Sequence, residues 1–120
     1  LRHHPLRGAI FESWVVSEIF KTCVHTGMQP SIFHYRETRG VEIDMLIEQA
    51  GGMDAVEIKS GATVSEDFFK NLELFSERLK CTATNAFIRK HIVYGGNANQ
   101  KRSKAHIISW SDVHHLTSGA

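Results

Sequence analysis

Two stretches of the chain carry apolar residues at helical spacing, and five carry the shorter alternation or apolar run of strands. From Gly8 to Val24, at about 100° per residue, Phe11, Trp14, Val15, Val16, Ile19 and Cys23 fall on one broad face, with Ser13, Ser17 and Lys21 on the other. Glu18 lands in the middle of the apolar face, between Trp14 and Phe11. A buried carboxylate is costly unless it is paired or binds a metal, so this placement asks for a partner. A lysine, a backbone group and a functional site are all open. Gly27 supplies a C-terminal stop, with Pro30 just beyond it. The second helix is expected after Thr63-Val64-Ser65-Glu66, which fits a capping box, and runs to about Lys80. Phe68, Leu72, Phe75 and Leu79 make its buried stripe, and Lys70, Glu73, Glu77 and Lys80 point outward.

The strands are read the same way. Ser31 to Arg36 is apolar and aromatic, and His91 to Tyr94 is the clearest part of a strand expected within Thr84 to Tyr94. Ala105 to Trp110 makes a last short one. Between them, Val41, Ile43, Met45 and Ile47 alternate with Glu42, Asp44, Leu46 and Glu48. Gly51-Gly52 then suits a tight hairpin turn, because glycine tolerates positive φ. With those glycines as the loop, Ala50 lies opposite Met53, Leu46 opposite Glu57 and Asp44 opposite Lys59. One face carries Asp44, Glu57 and Lys59, with Asp44 diagonal to Glu57 and within its reach. The other carries Val41, Ile43, Met45, Ile47, Val56 and Ile58. The resulting order is α-β-β-β-α-β-β, an α/β (α+β) class with a mixed sheet flanked by helices.

Length and composition narrow this picture. At 120 residues the chain supports one core. Residues 1–7 read as a lead-in, 8–110 as the domain and 111–120 as a tail; His3 and His4 fit a solvated tail better than a metal site. The chain starts at Leu1 rather than Met, which fits a fragment of a longer protein. No apolar run is long enough for a membrane span. Cys23 and Cys81 lack metal spacing and cannot build a disulfide framework, so reduced thiols in a cytoplasmic protein are expected. A formal net charge of +1 hides a local bias: Arg89, Lys90, Lys101, Arg102 and Lys104 make the last third basic.

Two carboxylates and a lysine on one hairpin face admit two readings. A cross-strand pair of Asp44 with Lys59 on a solvated face contributes about 0–1 kcal/mol. Alternatively, the carboxylates hold a hard cation such as Mg²⁺, which takes one or two carboxylates plus phosphate and water, with the ammonium beside it balancing phosphate charge.

A helix carrying Glu18, a strand carrying Asp44 and a strand carrying Glu57-Ile58-Lys59 together resemble the PD-(D/E)XK nuclease superfamily. That superfamily includes Holliday-junction resolvases and many restriction enzymes. The segments GAIFESWVVSEIFK, FHYRETRGVEIDMLIE and AVEIKSG are similar, more specifically, to a nuclease-like module that follows the ATPase domain in prokaryotic AAA-type ATPases. HIVYGG and HIISW fit the end of that module. The resemblance implies a restriction-endonuclease-like core and a Mg²⁺- or Mn²⁺-dependent phosphodiesterase acting on DNA. It makes Asp44, Glu57 and the Ile58 carbonyl the metal ligands, and Lys59 the group that positions water or neutralises the phosphate. Glu18 would reach the metal through water or complete a second site. Arg36, Arg89, Lys90, Lys101, Arg102 and Lys104 would contact DNA phosphates. An N-terminal ATPase domain is the implied partner, a resolvase would need a homo-oligomer, and a binding module without catalysis is the alternative.

Overall fold

Apolar residues four apart build the first helix. In the computed structural model, which describes residues 5–25, 27, 31–38, 40–49, 52–82, 87–102 and 105–116, α1 (Pro5–His25) buries Val15, Ile19 and Cys23, with Phe11 and Val16 packed beside them. The helix begins at Pro5, three residues before the expected Gly8, because a proline in a first helical turn has no N–H to leave unpaired. Trp14 is turned away from the core, at 41% exposure.

Six strands follow in one sheet, in the spatial order β1-β2-β3-β4-β6-β5: β1 (Ile32–Arg36), β2 (Glu42–Gln49), β3 (Gly52–Lys59), β4 (Phe87–Tyr94), β5 (Gln100–Lys101) and β6 (His106–Ser109). β1, β2 and β3 pair antiparallel, β3, β4 and β6 parallel, and β5 antiparallel to β6. The parallel step from β3 to β4 needs a crossover, and α2 (Asp67–Thr82) supplies it. This helix starts one residue past the expected capping box and buries Phe69, Leu72 and Phe75, with Phe68 and Leu79 half-buried at the margins.

Alternation along the strands sends side chains to opposite faces, and each face has its own helix. Leu46, Ala55, Ile92, Tyr94 and Ile107 pack with α2, whereas Met45, Ile47, Val56, Ile58 and Val93 pack with α1. The architecture is therefore a mixed sheet between two helices, in the expected α-β-β-β-α-β order.

The hairpin departs from expectation in two ways. Gln49 pairs with Gly52 and Met45 with Val56, so the register lies two residues from the one predicted, and Gly52 belongs to the strand. A slip of two keeps every side chain on its own face, which lets the apolar pairs Leu46–Ala55 and Met45–Val56 decide it. The second departure is a bulge. Phe33 pairs with Leu46 and Tyr35 with Ile43, so Asp44 and Met45 together oppose His34. Val41 and Ile43 consequently join the α2 core, apart from Met45 and Ile47.

Two further elements lie outside those expected. β5 sits in the polar stretch between Gly96 and Arg102. Residues expected to be a tail form a 3-10 helix (Trp110–His115), capped by the Ser109 hydroxyl accepting from the Ser111 N–H. Val113 and Leu116 bury this end under α1. At the carboxyl ends of β3 and β4 the backbones nearly touch. The Gly95 N–H donates to the Gly61 carbonyl at 2.9 Å, and a Cβ at Gly95 would lie 2.2 Å from the Ser60 carbonyl oxygen. Only glycine fits there, and the contact fixes the segment directly after Lys59. No helix among the described residues is long and apolar enough to cross a membrane.

Candidate functional site

The β2–β3 ladder stops at Met45–Val56, and beyond it side chains take over the backbone groups. The Asp44 N–H donates to Glu57 Oε1 at 3.1 Å, and the Ile58 N–H donates to Asp44 Oδ2 at 2.8 Å. Each carboxylate thus gives one oxygen to a backbone N–H of the neighbouring strand. The bulge at Asp44–Met45 is what brings Asp44 out of the ladder, and the His34 ring nitrogen Nδ1 closes it against the Asp44 carbonyl at 3.3 Å.

Lys59 Nζ stands 3.9 Å from Glu57 Oε2, and its own side chain is 38% exposed against 4% for Glu57. The ammonium also lies over the Phe68 ring of α2, 5.8 Å from its centroid. Asp44, Glu57, Ile58 and Lys59 are therefore brought together, although by a register other than the expected one: Asp44 is the neighbour of Glu57 and not the partner of Lys59. A carboxylate this buried resists ionisation. Burial first, then the negative charge of Asp44, push Glu57 up to about 7, against the pull of the Asp44 N–H, of Lys59 and of a hydrogen bond from Asn71.

That shift has a testable consequence. Because the folded state holds the proton more tightly than the unfolded chain, Glu57 contributes stability that is complete below the ordinary glutamate range and is lost as pH rises through about 7. The full difference corresponds to roughly 3 kcal/mol. Urea unfolding of the wild type and Glu57→Gln at pH 4 and pH 8 isolates it. The stability of the wild type relative to the variant is expected to fall by about that amount over the interval. An unchanged difference would contradict the burial of an ionisable Glu57.

The α1 carboxylate whose charge acts together with that of Asp44 is Glu12. Glu12 is half-buried, and its own burial followed by the charge of Asp44 raise it above the ordinary range, with Glu42 adding and His34 and Lys59 opposing. Glu18 does not sit in the middle of the apolar face. It is half-buried, with 32% of its side chain exposed, and pairs with Lys21 at 3.1 Å, because α1 turns to bury the line through Val15 and Ile19 rather than the one through Trp14. Glu12 lies seven residues, about two turns, before Ile19; that spacing was the signal available in the sequence. His34 is a second residue that periodicity did not single out, bridging Asp44 and Glu42 with Nε2 3.2 Å from Glu42 Oε1.

The basic residues do not converge on the carboxylates. Arg89 is committed to the wholly buried Asp54, Nε to Oδ1 at 2.7 Å and Nη2 to Oδ2 at 3.1 Å, and His91 Nε2 adds a third contact to Oδ1 at 2.9 Å. Asp54 is three residues from Glu57 along β3, about 10 Å. Lys90 is half-buried on β4, Arg36 is exposed at the end of β1, and Lys101 and Arg102 are exposed at the far edge of the sheet, Arg102 bonding to Gln100. Lys104 lies outside the described residues.

Among the described residues no three His, Cys, Asp or Glu side chains are grouped to hold an ion by themselves. The donor set nevertheless suits a hard cation that takes two carboxylates and completes its shell with water and phosphate. Two like charges pressed together, one of them raised to about 7, are an arrangement that a divalent cation would relieve. No curated protein matches the chain. Residues 7–113 match the family described as Domain of unknown function (DUF4143), and since this is nearly the whole sequence, the chain belongs to that family.

Proposed function

We propose that the domain is a metal-dependent phosphodiesterase module acting on DNA. The observation that carries this reading is the reciprocal arrangement at the end of the β2–β3 ladder, where Asp44 and Glu57 each hold a backbone N–H of the other strand and Lys59 stands beside them. The resemblance of the Asp44, Glu57-Ile58-Lys59 pattern to PD-(D/E)XK nucleases supports it. So does the similarity to modules that follow AAA-type ATPase domains. Asp44, Glu57 and the Ile58 carbonyl would hold Mg²⁺ or Mn²⁺, and a bound cation would supply Lewis-acid polarisation of the phosphate.

The chain's own residues do the rest. Lys59 carries the positive charge that offsets charge developing on the phosphate, and the Phe68 ring limits where its ammonium can go. Glu12, in the second turn of α1, adds a carboxylate whose charge acts with that of Asp44. In hydrolysis, water forms a new P–O bond and gives up a proton, while one ester P–O bond breaks and the leaving oxygen takes up a proton. The test is release of labelled fragments from DNA in Mg²⁺ or Mn²⁺ by the wild type, set against Asp44→Asn.

A second reading is a binding module that docks on an ATPase domain. It is favoured by the apolar residues that α1 leaves exposed, Leu6, Ile10, Phe20 and Val24. Wild-type protein that neither binds metal nor cleaves DNA would select it.

A further inference from the structure

We infer that the aromatic cleft between α1 and the 3-10 helix receives an unpaired nucleobase, so that the DNA presented to the carboxylate site is single-stranded or frayed at that point. This rests on the phosphodiesterase reading above and specifies the form of its substrate.

The cleft has a volume of about 890 Å³, and Arg7, Ile10, Phe11, Trp14 and Trp110 are among its lining residues. Trp14 and Trp110 meet edge to face, with centroids 5.7 Å apart and planes at 66°. Both remain substantially open, at 41% and 39% exposure. Rings set at an angle leave a π-face available to a third flat group. A nucleobase is such a group, and base–aromatic stacking is tolerant of sequence.

Charge and position select this ligand over a purely apolar one. Arg7 lines the cleft together with its aromatic residues, which suits a ligand with a ring and a phosphate. The cleft also adjoins the proposed site. α1 contributes Phe11 to the cleft and Glu12, the next residue, to Asp44. A Cβ on Gly8 would come 3.9 Å from the Ser60 hydroxyl, and Ser60 directly follows Lys59. Gly95, which also lines the cleft, is the residue whose backbone abuts the Ser60 carbonyl. The cleft thus opens at the carboxyl ends of the parallel strands β3, β4 and β6, where sheets of this kind bind ligands. Bases within a duplex are already stacked on each other and offer no free face, whereas an unpaired base does.

Trp14 and Trp110 are the chain's two tryptophans, so intrinsic fluorescence reads the cleft directly. The probes are a ten-residue oligothymidylate, an abasic strand of equal length and charge, and a blunt duplex, each titrated into the 120-residue chain in metal-free buffer. The expected result is saturable quenching by oligothymidylate and at least tenfold weaker binding of the abasic strand and the duplex. Trp110→Ala, with Trp14 still reporting, should weaken oligothymidylate binding by roughly 5- to 150-fold, the equivalent of about 1–3 kcal/mol of stacking. Trp110→Phe keeps a ring and should retain most of the affinity, which separates lost stacking from a misfolded variant. Equal binding of the abasic strand, or no quenching by any strand, would overturn the inference. Quenching by an apolar helical peptide but not by oligothymidylate would assign the cleft to a protein partner instead. Because none of these titrations requires metal or cleavage, a protein that cleaves DNA yet binds the abasic strand as tightly as oligothymidylate refutes this inference alone. One that binds oligothymidylate but never cleaves refutes the phosphodiesterase reading alone.

Discussion

Asp54→Ala is expected to lower the stability of the domain by about 3–5 kcal/mol, the range for breaking a buried charge pair from one side. Asp54 is fully buried on β3, where Arg89 and His91 both contact its carboxylate. Arg89 is 38% exposed and can turn toward water, but His91, at 4% side-chain exposure, cannot. Its Nδ1 already has no partner among the described residues, so removing Asp54 would strand both ring nitrogens, and an unmet buried polar group is itself destabilising. The domain as a whole is expected to have only about 5–15 kcal/mol to lose. Urea unfolding at neutral pH measures the effect. Asp54→Asn, which keeps an acceptor oxygen, should fall between the two. A loss below about 1 kcal/mol for the alanine variant would mean that the cluster is solvated and contributes nothing, as exposed ion pairs do.

Asp44→Asn is expected to reduce metal-dependent cleavage by about 10³-fold or more. Replacing a carboxylate ligand by an amide removes a formal charge from a hard-cation site, and each ~1.4 kcal/mol lost from transition-state stabilisation is tenfold in rate. The fold should survive. Asparagine retains an oxygen to accept the Ile58 N–H that Asp44 Oδ2 accepts at 2.8 Å, and the bulge is held by the Asp44 backbone carbonyl, not the side chain. Neutralising Asp44 also removes one of the two main influences that raise Glu57, so the variant's stability should depend less on pH than the wild type's. Cleavage that persists in a clean Asp44→Asn preparation would exclude Asp44 from the chemistry.

That Glu57 and Lys59 share a face was legible because strand parity survives a register error of two residues, whereas on β2 the bulge at Asp44–Met45 interrupts that parity. The register itself was not, since Gly51-Gly52 admits either glycine as a strand residue, and packing of Leu46 on Ala55 settles the matter only in three dimensions. No composition signal announced the bulge at Asp44–Met45; it depends on how β1 meets β2. Helix phase misled in a specific way. The bulk of Trp14 drew the expected centre of the apolar face toward itself, which made Glu18 appear buried, whereas Trp14 leaves the core to meet Trp110. Glu12, within about 20° of Ile19 on the same helical wheel, is the α1 carboxylate whose charge acts with that of Asp44. Likewise, the basic residues of the last third are close in sequence yet scattered across β4 and β5, and the most promising of them, Arg89, is taken by Asp54.

The central claim is that Asp44 and Glu57 form one cation-holding site. Calorimetric titration of Mn²⁺ into the wild type and into the Asp44→Ala, Glu57→Ala double variant tests it most directly, at a pH above 7 so that Glu57 is ionised. Saturable binding by the wild type that vanishes in the folded double variant is the predicted result. Equal heats from both proteins, or none from either, would contradict it.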